Sequence, residues 1–399
     1  MTPTRIEAEI VRVRGKVLAL LLHRQVDIVT AEDAVGTAIL QALEQWPTFP
    51  PVNPEAWLMT VAWRRAMDAG RTAKRTISLN DFDVECDAEP GSMLGIDDHL
   101  PDERLRLYFL CTHPALEKSI QCPLMLQLVT GMTVDQIAAL YLVPAPTMAQ
   151  RLVRAKRKIR DAGIQPRIPS ASELHGRVMP VLDALYGLYF AEWQGLDGPH
   201  QALELAQILA DLLPGDAECL GLAALIFFCE SRRAARLGSN NEYIPLDDQD
   251  QRGWNLGEIE RAESYLERAS KLESIGRYQL EGAIQSAHTQ RLRQGSPSWS
   301  TIVRLYDRLL AYAPTAGFAI GRVGAVLKAE GPGAAIVELD HFARLHPEVA
   351  ESFQPYHVTR AHCLWQLGQF DGAKASARTA LELTTSEPER TYLRMKFAA

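Results

Sequence analysis

The sequence lacks features that mark whole classes of protein. No apolar run approaches the ~20 residues that a membrane-spanning helix needs, and residues 1–25 mix charge into their apolar stretch, unlike a signal peptide. The six cysteines never form a C-x-x-C pair, so neither a zinc ribbon nor a disulfide framework is indicated. We therefore expect a cytoplasmic protein that makes no contact with a membrane.

The sequence also shows no recognisable pattern of catalytic residues. The ten histidines are scattered along the chain, and no glycine-rich loop suited to cradling a phosphate is present. No nucleophile, base or metal-ligand set converges at a recognisable spacing. We expect a protein that is not an enzyme and that needs no cofactor or metal ion.

The composition is that of a soluble globular protein. The chain has 399 residues, of which 47% are hydrophobic and 23% are charged, enough for two or three domains with ordinary cores. Its net charge is −7. Any contact with nucleic acid must therefore come from local basic patches and not from the overall charge.

Apolar residues recur at three- and four-residue steps almost everywhere, without a sustained period-two alternation. This periodicity predicts an all-α fold. It is interrupted by prolines at 47–54, by an acidic and glycine-containing stretch, and by prolines at 163–173. These interruptions predict four segments, with the bounds 1–78, 79–101 (a linker), 102–168 and 169–399.

The last segment contains a degenerate internal repeat. Aligned helical stretches place five small or branched residues in equivalent positions: Ala202, Ala262, Ile302, Ala335 and Ala373. Most of the intervals lie near the ~34-residue tetratricopeptide period, and the longest contains an insert at 235–254. We expect stacked helix pairs, with an irregular helical domain as the alternative.

The first of two basic elements ends the third predicted helix. Residues 64–75 contain five basic side chains and one acidic one. The five are Arg64, Arg65, Arg71, Lys74 and Arg75.

The second basic element is more specific. A Thr133/Gln136 capping box opens a short helix, and a turn leads to a second helix at 146–162, which is helix-turn-helix spacing. At 100° per residue, one arc of this second helix carries Ala149, Leu152, Val153, Lys156 and Ile159. The opposite arc carries Thr147, Gln150, Arg151, Arg154, Arg157 and Lys158. We expect the first arc to pack inward and the second to contact DNA, where cations hold phosphates and Arg or Gln pairs with base edges. The alternative is a solvated basic face.

Two groups of segments resemble a known family. Residues 31–35 with the helix that follows, and residues 53–62, resemble region 2 of extracytoplasmic-function sigma factors of bacterial RNA polymerase. Residues 105–116 and 132–164 look like region 4 of a subgroup with a tetratricopeptide-like C-terminal extension. Stretches at 231–236, 246–254, 276–288 and 305–314 look similar to that extension.

The resemblance implies a promoter-specificity subunit that binds core RNA polymerase and promoter DNA. It assigns 1–78 to a region 2 helical bundle, 102–168 to a region 4 helix-turn-helix domain, and 169–399 to a regulatory repeat domain that has a protein or peptide partner. Contact with the polymerase is assigned to Glu32, Asp33, Thr37, Leu40 and Glu44. Contact with the −10 element is assigned to the five basic residues of 64–75, and contact with the −35 element to the outward arc of helix 146–162.

An acidic insert in the extension is a candidate regulatory loop. It contains Asp247, Asp248, Asp250 and Arg252. We expect it to form ion pairs with the nearby Arg232 and Arg233 or to clamp the basic DNA-reading helix.

Two other functions remain open on the sequence. One is a repeat-protein adaptor whose sigma-like half no longer initiates transcription. The other is a helix-turn-helix regulator that binds DNA without polymerase.

Overall fold

The computed structural model describes residues 3–77, 103–141, 143–167, 169–174, 176–194 and 201–397. Over these residues the regular structure is helical, apart from an isolated antiparallel bridge between Leu237 and Tyr243. The predicted all-α class is confirmed. None of the helices described combines the length and the apolar character that crossing a bilayer requires. The predicted linker, 79–101, lies outside the described residues.

The chain forms two compact units, Met1–Leu209 and Ala210–Ala399. The first unit therefore includes residues 169–209, which the sequence analysis placed at the start of the repeat domain. The helices of the first unit are α1 Pro3–His23, α2 Ile28–Gln45, α3 Pro54–Ile77, α4 Arg104–Cys111, α5 Lys118–Met125, α6 Val134–Leu140, α7 Ala145–Asp161, α8 Ala171–Leu174, α9 Val178–Gln194 and most of α10 Gln201–Leu212. A π-helical turn, Leu126–Thr130, continues α5.

Side-chain caps and prolines set the ends of the first helices. The carboxylate of Asp27 accepts hydrogen bonds from the backbone N–H groups of Val29 and Thr30 and so starts α2. The amide oxygen of Asn53 accepts from the N–H of Ala56 at 3.0 Å and starts α3. Between these helices lies the proline-rich interruption that the sequence predicts.

Helices α1, α2 and α3 pack against one another. Their core contains the buried side chains of Leu21, Ala38 and Leu58. Trp46, also fully buried, meets Trp57 edge to face at 5.6 Å between ring centroids. Aromatic pairs of this geometry contribute about 0.5–1.5 kcal/mol beyond the area that they bury.

The second unit is a series of stacked helices. Its helices are α11 Ala217–Glu230, α12 Leu256–Ser270, α13 Arg277–Thr289, α14 Arg291–Gln294, α15 Trp299–Tyr312, α16 Ala316–Ala329, α17 Pro332–Leu345, α18 Pro347–Ser352, α19 Gln354–Gln366, α20 Phe370–Leu383 and α21 Glu387–Phe397. Neighbours in this series pack side by side, as α11 does with α12, α15 with α16, and α19 with α20.

The repeat alignment identified positions that are buried. Ala202, Ala262, Ile302, Ala335 and Ala373 each have 0% of their surface exposed. Small residues at such positions let neighbouring helices approach closely, which explains why the spacing is visible in the sequence. Gly368, with a φ of +74°, makes the turn between α19 and α20 in the left-handed region that glycine adopts at no steric cost.

The five cysteines among the described residues are thiols and not disulfides. Cys111, Cys219 and Cys363 are buried, and Cys122 and Cys229 are partly buried. Burial raises the pKa of four of them, Cys111, Cys122, Cys219 and Cys363, that of Cys122 to about 12 and that of Cys363 to about 11. The buried cysteines act as small hydrophobic side chains.

Gly221 marks a close crossing of α11 and α13. A Cβ atom on Gly221 would lie 2.5 Å from the backbone nitrogen of Gln279. We expect Gly221→Ala to lower the free energy of unfolding by about 1–3 kcal/mol, because the obstacle is backbone and cannot rotate away. Gly324→Ala is the control, since a Cβ atom there meets nothing within 4 Å. Urea unfolding of both variants tests this, and equal midpoints would contradict the close crossing.

Candidate nucleic-acid interface

Helices α6 and α7 form the predicted pair of helices joined by a short turn. The Thr133 hydroxyl accepts from the N–H of Gln136 at 3.2 Å, and the Gln136 side chain accepts from the N–H of Thr133 at 2.9 Å. This reciprocal cap satisfies two N–H groups at the start of α6. Helix α7 begins after Pro144, whose fixed backbone suits a helix start.

The buried side of α7 is turned relative to the predicted one. Its buried residues are Met148, Leu152, Ala155 and Ile159. Leu152 and Ile159 were predicted, but Val153 is 55% exposed and Ala149 and Lys156 are only partly buried. The periodicity gives the width of an apolar arc, whereas its direction depends on the packing of α7 against α2, α5 and α6.

The side chains on the outward arc of α7 are exposed to solvent. All six predicted residues are exposed: Thr147, Gln150, Arg151, Arg154, Arg157 and Lys158. Arg154, Arg157 and Lys158 line an open depression of about 410 Å³. Within the described part of the chain, none of the four cations of this arc forms an ion pair. Their charges are therefore available to an external anion.

Lys156 is the exception among the basic residues of α7. Its ammonium lies 2.8 Å from a carboxylate oxygen of Glu32 on α2, and each of the two side chains is 16% exposed. Glu32 was predicted to contact the polymerase, and in this structure it contacts α7. The ion pair links α2 to the helix that carries the basic face.

The other residues assigned to polymerase contact lie along α2. Asp33, Leu40 and Glu44 are exposed. Thr37 is partly buried, and its hydroxyl donates to the backbone carbonyl of Asp33 at 2.9 Å. Leu40, 63% exposed, has Leu43 near it on the same side of the helix at 43% exposed. The exposed surface of α2 therefore carries both apolar and acidic side chains.

The basic end of α3 is described only in part. Arg64 and Arg65 are exposed. The helix continues through Arg71, Lys74 and Arg75, whose side chains lie outside the described residues.

A further contact, which the sequence analysis missed, holds α1 against the π-helical turn. The guanidinium of Arg14 donates to the carbonyl oxygens of Gln127 at 2.9 Å and Leu128 at 2.8 Å. The carbonyl of Gln127 also accepts from the N–H of Gly131 at 3.2 Å, so the arginine adds a second hydrogen bond there, and a cation near a helix C-terminus is favoured by the helix dipole. Next to it, a Cβ atom on Gly15 would lie 2.8 Å from the carbonyl oxygen of Val129, so the backbones touch. The sequence signal that could have indicated this contact is an arginine followed directly by a glycine within the predicted first helix.

The acidic insert is anchored within the second unit. One carboxylate oxygen of Asp247 lies 3.0 Å from Arg291, and the other lies 2.8 Å from Lys328. Asp250 pairs with Arg252 at 2.8 Å on an exposed part of the loop, and Asp248 lies in a 3-10 turn, Leu246–Asp248.

The partners predicted for the insert are engaged elsewhere. Arg232 donates to the side chain of Gln285 at 2.7 Å, and Arg233 pairs with Glu230 at 2.6 Å. Proximity in sequence indicated the wrong partners for Asp247, because the loop folds back onto later helices. Among the described residues, no group of three or more His, Cys, Asp or Glu side chains is placed to hold a metal ion.

Comparisons with known proteins match three parts of the chain. Residues 10–76 match sigma-70 region 2, and residues 355–386 match a tetratricopeptide repeat. Residues 177–270 match a family of unknown function (DUF6596). The first match falls on α1–α3, and the second spans α19 and α20.

One relative covers nearly the whole chain. An uncharacterized protein of Rhizobium meliloti (strain 1021) is 31% identical over 404 residues, which cover 98% of this chain and 95% of the relative. No solved structure matches the chain.

The Glu32–Lys156 pair is expected to couple α2 to α7. Because both side chains are largely buried, Glu32→Gln and Lys156→Met should each lower the free energy of unfolding, and a double-mutant cycle should give a coupling of about 0.5–3 kcal/mol. The exposed pair Glu267–Lys271, at 2.7 Å, is the control and should couple by less than about 0.5 kcal/mol. Equal coupling energies for the two pairs would rule out a special role for the buried pair.

Proposed function

The chain belongs to the same family as the Rhizobium meliloti protein and is sigma-factor-like, and we propose that it is an extracytoplasmic-function sigma factor of bacterial RNA polymerase. In this proposal it acts in the cytoplasm, directs core polymerase to promoters and leaves catalysis to the polymerase. Its helical-repeat unit regulates it through a protein or peptide partner.

The observation that carries the proposal is the exposed basic face of α7. Six of the ten residues from Arg151 to Arg160 are basic in a chain of net charge −7. A helix that only faces solvent in an acidic protein would not require so many basic residues close together. On the second helix of a helix-turn-helix, the four of these cations that lie on the outward arc reach phosphates and base edges in the major groove. We assign this face to the −35 element.

Region 2 supplies the other two contacts in the proposal. The exposed Arg64 and Arg65 extend the DNA-binding surface to the −10 element, together with Arg71, Lys74 and Arg75. Asp33, Leu40 and Glu44 on α2 offer the polymerase a surface with an exposed leucine and two carboxylates. An apolar centre with a polar, solvent-accessible rim is the usual arrangement of a protein interface.

Run-off transcription separates this proposal from the two alternatives. The full-length protein, mixed with core polymerase and a promoter library, should give defined transcripts that are absent with core alone. An adaptor would bind neither the core polymerase nor a promoter. A stand-alone regulator would bind duplex DNA equally well without polymerase. Either of those two results would refute the sigma-factor assignment.

Arg154→Ala tests the groove assignment. Removal of one base- or phosphate-contacting arginine should weaken promoter binding by the holoenzyme by about 1–3 kcal/mol, which is roughly five- to 150-fold. Arg160→Ala is the matched control, because Arg160 lies on the same helix outside the outward arc and pairs with Asp161 at 2.9 Å. Electrophoretic mobility shifts over a range of salt concentrations provide the measurement. Equal losses for both variants would mean that α7 acts only through its overall charge.

Leu40→Arg tests the polymerase contact. A buried interface leucine replaced by a cation should lower the affinity for core polymerase at least tenfold, because a charge would be left in an apolar contact. Val337→Arg is the control, since Val337 is 64% exposed and Leu40 63%, and it lies in the repeat unit. Affinity for immobilised core polymerase is measured for both variants. If only Val337→Arg lowered the affinity for core polymerase, the contact would lie in the repeat unit and not on α2.

A further inference from the structure

The second unit contains a cavity that the proposed function does not use. It has a volume of about 190 Å³ and lies between the start of the acidic insert, at residues 245–247, and helices α13, α15 and α16. An apolar cavity of about 150 Å³ is enough to hold benzene. The space therefore fits a molecule with one ring and a small substituent.

The one acidic group in the cavity wall is already neutralised. Asp247 has one carboxylate oxygen on Arg291 and the other on Lys328, at 3.0 Å and 2.8 Å. Partial burial alone would raise the pKa of Asp247, but the hydrogen bonds and charges of Lys328 and Arg291 outweigh it and lower that pKa. Two cations, Arg291 and Lys328, thus face the one carboxylate at this end of the cavity.

Lys328 retains donors that Asp247 does not use. Its ammonium has three N–H groups, and among the described residues its ion-pair partner is Asp247. The side chain is 42% exposed, so an entering ligand can reach it.

His288 provides another donor on the cavity wall. Its Nδ1 lies 3.3 Å from the guanidinium of Arg291, which can only donate, so Nδ1 accepts and Nε2 carries the hydrogen. Burial, together with the charges of Arg232 and Arg291, lowers the pKa of His288 to about 3. The ring is neutral at physiological pH and meets Trp299 edge to face at 5.5 Å.

Tyr306 adds a hydroxyl above a glycine. A Cβ atom on Gly321 would lie 2.8 Å from the hydroxyl oxygen of Tyr306, so glycine is what makes room for this ring. Burial, with the nearby charge of Glu281, raises the pKa of Tyr306 to about 12. The hydroxyl therefore stays protonated and can donate.

We propose that this cavity binds a small organic acid with one aromatic ring, whose carboxylate is held by Lys328 and Tyr306 and whose ring packs against Trp299. The donors described on the wall are the Lys328 ammonium, the Tyr306 hydroxyl and the Nε2–H of His288, and the positive charge of Lys328 favours an anionic acceptor. The apolar remainder of the wall selects a ring over a purely polar anion such as phosphate. The site is independent of the sigma-factor assignment, because its argument uses the second unit alone.

Isothermal titration of the full-length protein with benzoate tests the proposal. Benzamide is the matched neutral ligand, and acetate is the matched anion without a ring. We expect one benzoate per chain and at least tenfold weaker binding of the two other ligands. Benzamide lacks the charge, and a hydrogen bond to a charged group contributes about tenfold or more. Acetate keeps the charge but lacks the ring and the apolar area that the ring would bury. Absence of benzoate binding, or equal binding of benzamide, would overturn the proposal.

Two variants locate the ligand. Lys328→Met removes the ammonium from a partly exposed position and should weaken benzoate binding about ten- to a hundredfold. Gly324→Leu should abolish binding, because Gly324 lines the cavity and a side chain there has open space in front of it. Gly333→Leu, also with open space but outside the cavity wall, should bind as the unaltered protein does.

These variants also define the contrary result. Circular dichroism and thermal melting establish that each variant is folded before titration. If folded Lys328→Met binds benzoate with unchanged affinity, or if folded Gly324→Leu still binds it, the ligand lies elsewhere and the proposed site is wrong.

Discussion

The hydrogen bonds from the guanidinium of Arg14 to the carbonyls of Gln127 and Leu128 in the π-helical turn are the contact on which the first unit depends. It joins α1, near the N-terminus, to the segment that leads directly into α6 and α7. Gly15 brings the two backbones into contact at the same place, and Gly131, with a φ of +79°, ends the π-helical turn under the arginine side chain. Both carbonyls accept from one nitrogen of Arg14, Nη1, whose two N–H groups lie in the guanidinium plane and so fix the directions of the two hydrogen bonds.

Charge is divided within α7 between an internal and an external role. Lys156 pairs with Glu32 and helps to hold α7 on α2, whereas the four cations of the outward arc face solvent. A partly buried pair costs desolvation, which makes it sensitive to the loss of either partner. The exposed cations stay hydrated in the free protein, so their desolvation free energy there is small. Their favourable electrostatic free energy is greatest when an anion approaches. One helix can therefore be both a structural member of the unit and a surface for recognition.

Features that depend on short stretches of sequence could be predicted. Features that depend on contacts between residues far apart in the sequence could not. The Thr133/Gln136 cap, the prolines between α2 and α3, and the buried repeat positions Ala262 and Ala335 follow from local spacing and residue size. The direction of the buried face of α7 could not be predicted, because it is decided by three other helices. The partners of Arg14 lie more than a hundred residues away. Asp247 likewise pairs with Arg291 and Lys328 and not with its sequence neighbours.

The protonation of the four packed thiols has a consequence for the chemistry of the cell. Peroxide attacks the thiolate and not the thiol, and the raised pKa values of Cys111, Cys122, Cys219 and Cys363 leave almost no thiolate at neutral pH. Oxidants that convert low-pKa cysteines of other proteins to sulfenic acid should therefore leave these sulfur atoms intact. The helical cores in which they pack should accordingly survive an oxidative burst without covalent damage at these positions.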